Sequence, residues 1–133
     1  MKNNNNLIIT NNDHKSIDKN IRLIPVIIYT NADKNKSVIC EENKNKSGVY
    51  MWINNINGKS HVGSSISLSN KFSIYYSLRE LKKVKGSIII YRALSKYGYS
   101  NFSLNILEYC EPSLLISREQ YYIDLLKPEY NIK

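Results

Sequence analysis

From Val49 to Ile53 the side chains alternate with a period of two. Val49, Met51 and Ile53 fall on one side, and Tyr50 and Trp52 on the other, the pattern of a strand with two distinct faces. Asn57-Gly58 follows, the preferred pair for a tight hairpin turn, where both central residues would need positive φ. The return strand, Lys59 to Ser64, places Val62 on one face and His61 and Gly63 on the other. A two-residue turn and a four-residue turn over Asn55 to Gly58 give registers of the same parity. Either way Tyr50, Trp52, His61 and Gly63 share a face, and its chemistry reads as a working surface rather than a core. Phe102 to Tyr109 alternates again and predicts a third strand.

Between and after these strands the period lengthens to that of a helix. Ser67 or Ser69 can cap a helix to about Leu81, with Leu68, Phe72 and Tyr75 or Tyr76 on its inner face. Arg79 to Gly86 reads as a basic, flexible exit. Ser87 can cap a second helix ending at Gly98. A last helix starts near Pro112 and stops before Pro128. Upstream the pattern fades. Leu23 to Tyr29 is an apolar run broken by Pro25, either an extra edge strand or an extended segment laid on the domain. Asn31 to Lys46 reads as a polar linker, and the Asn-rich residues 1–20 as disordered. Residues 1–46 are thus expected to form an arm, and 47–133 the folded domain.

One position in the last helix breaks its stripe. Leu115, Tyr122 and Leu126 stand at i, i+7 and i+11, and Glu119 falls at i+4 among them. A carboxylate there costs free energy unless it is paired, protonated or metal-bound. Either Glu119 tilts to the helix edge and pairs with a lysine, or it is a lone acidic ligand for a hard cation such as Mg²⁺.

Charge narrows the partner. The chain has 133 residues with 19 Lys+Arg against 11 Asp+Glu, a net charge of +8. That surplus favours a polyanion, nucleic acid first and an anionic membrane surface second. Cys40 and Cys110 form no disulfide framework and no metal-ligand spacing, so the chain reads as intracellular. No stretch is apolar enough to span a bilayer. The prevalence of Asn, Ile, Lys and Tyr points to an AT-rich genome.

The ordered set Gly48-Val49-Tyr50, His61-Val62-Gly63-Ser64-Ser65, Tyr75-Tyr76, Ile90-Tyr91-Arg92-Ala93-Leu94, Asn101-Phe102-Ser103-Leu104, Arg118-Glu119-Gln120-Tyr121-Tyr122 and Lys127-Pro128-Glu129-Tyr130-Asn131 resembles the GIY-YIG nuclease family. More narrowly, it is similar to the homing endonucleases encoded within fungal mitochondrial introns. The resemblance implies a small α/β domain, a three-stranded antiparallel sheet flanked by three helices. It also implies a monomeric, organelle-encoded enzyme that hydrolyses a DNA phosphodiester with Mg²⁺ or another divalent ion such as Mn²⁺. Tyr50 would orient or deprotonate the attacking water. Glu119 would bind the metal, with Asn131 in support.

His61 stands where the family has tyrosine, and Lys71 where it has arginine. The resemblance also puts Gly63, Lys71, Tyr75 and Arg92 toward nucleic acid, Gly63 keeping the surface clear for the phosphate backbone. Plainer roles stand beside these: Tyr50 as a half-buried sheet tyrosine, Asn131 as a turn former. Lysine keeps the charge of arginine but loses its planar fork, and a catalytically decayed nucleic-acid-binding protein is the alternative reading. Relatives carry a DNA-binding region after the nuclease domain. With the sequence stopping at Lys133, the domain alone is expected to bind DNA weakly and with strong salt dependence.

Overall fold

The structure is a computed structural model and describes residues 7–9 and 21–131. The remaining residues of the expected disordered arm lie outside the described residues. Leu7–Ile9 (β1) pairs antiparallel with Ile21–Leu23 (β2) in a two-stranded ribbon.

The main sheet has four antiparallel strands rather than three. Ile27–Tyr29 (β3), Gly48–Asn54 (β4), Ser60–Ser65 (β5) and Phe102–Tyr109 (β6) lie in the order β3-β6-β4-β5. The extra strand is the C-terminal half of the apolar run at 23–29. Its register on β6, Ile27↔Ile106 to Tyr29↔Leu104, begins after Pro25, so the missing proline N–H interrupts no ladder bond.

The β4–β5 hairpin takes the four-residue turn. Asn54 and Lys59 close it through Asn54 N–H to the Lys59 carbonyl at 2.8 Å, and Gly58 alone carries the positive φ. Tyr50↔Gly63 and Trp52↔His61 are cross-strand pairs, as the shared parity requires.

Five α-helices, not three, occur among the described residues: Lys36–Glu42 (α1), Leu68–Tyr75 (α2), Leu78–Lys82 (α3), Ile88–Tyr97 (α4) and Leu115–Leu126 (α5). Two discrepancies have definite causes. The helix expected from Ser67 to Leu81 is broken at Tyr76–Ser77. A continuous helix would return the Tyr75 carbonyl to an amide four residues on; instead it accepts the Tyr99 hydroxyl at 2.5 Å, and Ser77 Oγ caps α3 by accepting Glu80 N–H.

The expected linker at 31–46 folds against the domain. Asn31 Oδ1 accepts the amides of Asp33 and Lys34 in a turn, and α1 then buries Ile39 beside Ala32. Few of its residues face inward, so the stretch looks polar in sequence although it is built into the core.

The sheet separates two cores. On one face Tyr50, Trp52, Leu104 and Ile106 pack with Phe72, Tyr75, Ile90 and Leu94 from α2 and α4. On the other Val49, Met51, Val62 and Leu107 meet Tyr122, Ile123 and Leu126 of α5. The face expected to be a working surface is therefore mostly interior. Trp52 is 0% exposed and Tyr50 2%, and T-shaped ring contacts hold Tyr50 at 5.2 Å from Phe72 and 5.6 Å from Tyr75. No helix among the described residues is long and apolar enough to cross a membrane.

Candidate active site

Strand β5 ends the sheet, and its outer edge is treated differently along its length. At the first half the C-terminal segment clasps it. Tyr130 N–H donates to the Ser60 carbonyl at 2.8 Å, and Ser60 N–H donates to Glu129 Oε1 at 3.1 Å. Asn131 then mimics a neighbouring strand: Val62 N–H donates to its Oδ1 and its Nδ2 donates to the Val62 carbonyl, both at 2.9 Å. Beyond this clasp the edge opens into a cleft of about 450 Å³.

Seven of the eight residues expected at a site, Tyr50, His61, Gly63, Lys71, Tyr75, Glu119 and Asn131, line that cleft. The eighth, Arg92, lies exposed on α4 and does not line it. Because β5 is an edge strand, groups from both sheet faces reach the same opening. Tyr50, His61 and Gly63 come from the α2 side, and Glu119 from α5 on the other.

The phenol of Tyr50 donates a hydrogen bond to the Tyr75 hydroxyl at 3.0 Å. Burial, then the neighbouring Tyr75, then the negative charge of Glu119 hold its proton well above the usual tyrosine range. Burial does the same to Tyr75. As the chain stands, the pair is neutral. The Tyr50 ring also explains Gly63: a Cβ built there would lie only 2.6 Å from Tyr50 Cζ. Gly63 leaves room for the phenol, a packing requirement inside the chain that stands beside its place on the cleft wall.

His61 is 8% exposed. Burial lowers its pKa to about 4; a hydrogen bond to the Tyr130 backbone opposes the shift and the positive charge of Lys71 adds to it. The imidazole is neutral near pH 7, and its Nδ1 is buried with no hydrogen-bond partner among the described residues. Lys71, half-buried on α2, brings a positive charge to the cleft.

Among the described residues Glu119 pairs with no lysine. It is half-buried, and its Oε1 accepts the Ser64 hydroxyl at 2.5 Å. The preceding residue anchors the helix: Arg118 grips the Glu108 carboxylate of β6 through three contacts of 2.9–3.0 Å, and the Tyr122 hydroxyl donates to the same group. Among the described residues no cluster of three or more His, Cys, Asp or Glu side chains exists. A caged transition metal is not what this donor set suits. A hard divalent cation bound by one carboxylate, water and a phosphate is.

The residue-by-residue expectations missed two contributors. Ser64 was one of two adjacent serines with no distinguishing pattern. The basic exit after α3 supplies Lys85 and Gly86 to the cleft wall, where sequence showed only a charged loop.

A phenol, an ammonium and a carboxylate around one cleft at a sheet edge define a site suited to phosphate chemistry. Residues 46–131 match the GIY-YIG catalytic domain, and the chain belongs to the GIY-YIG family. It is 34% identical over 100 residues to the probable intron-encoded endonuclease 1 of Neurospora crassa, covering 71% of this chain and 31% of that protein. With the probable intron-encoded endonuclease bI1 of the same organism it shares 29% identity over 128 residues, 89% of this chain and 28% of the other. The chain thus spans about three tenths of the length of these relatives. Among solved structures, the catalytic domain of the homing endonuclease I-TevI superposes with a TM-score of 0.53 at 31% identity, over 65% of this chain and 94% of that one.

Proposed function

We propose that this domain hydrolyses DNA phosphodiester bonds with the help of Mg²⁺ or a similar divalent ion such as Mn²⁺, leaving 5′-phosphate and 3′-hydroxyl ends. The observation that carries the reading is the convergence of Tyr50 and Glu119, from opposite sheet faces, on one open cleft that also contains Lys71.

Glu119 would hold the cation, whose charge would polarise the phosphate and stabilise the leaving oxygen. One Glu119 oxygen is taken by Ser64, and the other accepts no bond from a described residue, which leaves it available as a ligand. Tyr50 has its proton engaged by Tyr75, so its oxygen lone pairs can accept a hydrogen bond from a water and aim that water at phosphorus. Burial opposes loss of the phenol proton, which favours orientation of the water by Tyr50 over its deprotonation. Lys71 would neutralise charge growing on a non-bridging oxygen. Asn131, with both ends of its amide on Val62, would act by fixing the edge strand that carries His61 and Gly63.

By kinship with the intron-encoded endonucleases, the gene would lie within an intron of an organellar genome and the domain would act as a monomer on DNA. The second reading, a decayed nucleic-acid binder, draws on Lys71 and on His61, a neutral imidazole where the family places a phenol.

A supercoiled-plasmid nicking assay decides between them. The expected result is relaxed plasmid that accumulates only with Mg²⁺ and falls by at least about 10²-fold in Glu119→Ala. Equal nicking by Glu119→Ala contradicts the assignment. Salt-sensitive binding without cutting, restored to cutting by His61→Tyr with Lys71→Arg, favours the second reading.

A further inference from the structure

We infer that Ser64 is the positioning residue that sets the metal-binding carboxylate against the water-orienting phenol, an inference that rests on Glu119 being the cation ligand. Gly63 and Ser64 are neighbours on β5, and each fixes one member of the pair. The Tyr50 ring lies over Gly63 so closely that no Cβ fits between them. One residue on, Ser64 points to the other face, where its hydroxyl donates to Glu119 Oε1 at 2.5 Å. Successive residues of a strand face opposite sides, so a single stretch of backbone gauges the distance between phenol and carboxylate across the sheet edge.

The physical need is clear from the two side chains. Glu119 has three rotatable bonds and lies within α5, where the helix restricts the first but leaves the outer two free. Ser64 has one, and its backbone is held by pairing with Val49. Its hydroxyl therefore locks one carboxylate oxygen and presents the other to the cleft, the role of an outer partner that orients a metal ligand. The adjacent hydroxyl is not interchangeable. Ser65 Oγ donates to the Ser67 carbonyl at 2.9 Å and accepts Ser67 N–H at 3.0 Å, shaping the entry to α2.

The test uses the full chain and Mn²⁺ alone, followed by water-proton relaxation. Ser64→Ala should weaken Mn²⁺ binding about 10- to 100-fold, and Ser64→Thr, which keeps the hydroxyl, should stay within a few-fold of the parent. In plasmid nicking, Ser64→Ala should raise the Mg²⁺ concentration needed for half-maximal rate more than it lowers the rate at saturating metal. A merely structural serine would leave that split unchanged and would shift the unfolding midpoint instead. Parent-like Mn²⁺ affinity in Ser64→Ala, with binding lost in Glu119→Ala, overturns the positioning role alone. Parent-like affinity in Glu119→Ala overturns the ligand assignment and the inference with it.

Discussion

The two outer strands of the sheet each carry a polar cluster, and the clusters are finished in opposite ways. At β3, Tyr29 donates to Glu42 at 2.7 Å, Asn43 Nδ2 donates to Tyr29 and to the Ile39 carbonyl, and Tyr109 donates to Asn43 Oδ1 at 2.7 Å. Both ends of the Asn43 amide are matched, and α1 is locked onto β3 and β6. At β5, His61 Nδ1 and one Glu119 oxygen take no bond from a described residue, and the cluster borders a cleft. Buried polar groups are normally paired. The saturated cluster is a fastening, and the incomplete one borders an open cleft. Ser47 Oγ, Trp52 Nε1 and Asn105 Oδ1 are also buried with no partner among the described residues, and nothing in the structure explains them.

This contrast can be broken from either side. Asn43→Ala should have the largest effect, removing the hub of the β3 cluster and leaving two tyrosine hydroxyls less satisfied. About 2–4 kcal/mol of stability should be lost, read as a lower urea midpoint, while the nicking rate per folded molecule stays within about twofold. A large loss of rate in the folded fraction would mean that the β3 cluster is not merely a fastening.

The next effect is in pH. His61 is neutral when folded with a pKa of about 4, against an ordinary value of 6.5. Between those values the unfolded chain binds more protons, so the contribution to stability is complete above pH 6.5 and is lost as pH falls toward 4. Urea unfolding should therefore cost about 2 kcal/mol less at pH 5 than at pH 7.5 on this account. His61→Gln should flatten that difference. An unchanged slope in the variant would place the imidazole in solvent rather than in the wall of the cleft.

Much of this molecule was legible in its residues, and what was not has definite causes. The hairpin parity, β6, α4 and the end of α5 followed from local periodicity and turn chemistry, and seven of the eight residues singled out by the family resemblance line one cleft. The break between α2 and α3 could not be read locally, because the Tyr99 hydroxyl that takes the Tyr75 carbonyl lies 24 residues away in sequence. Helix α1 was hidden by its polar composition. Alternation put Tyr50 and Trp52 on the right face but could not tell that α2 and α4 would cover it. The packing role of Gly63 was hidden for a similar reason: sequence records a missing side chain, and only the fold records that the Tyr50 ring fills the space. Ser64 and Ser65 are the same residue type side by side, and three-dimensional direction alone separates them.

The central claim is that a buried phenol and a half-buried carboxylate, drawn from opposite faces of one sheet, act on the same phosphate. Single-turnover nicking of plasmid DNA by Tyr50→Phe tests it most directly, since the substitution keeps the ring over Gly63 and removes only the hydroxyl. The account predicts a rate lower by about 10²-fold or more at saturating Mg²⁺, with the unfolding midpoint within a few degrees of the parent. A Tyr50→Phe chain that nicks as fast as the parent would contradict it.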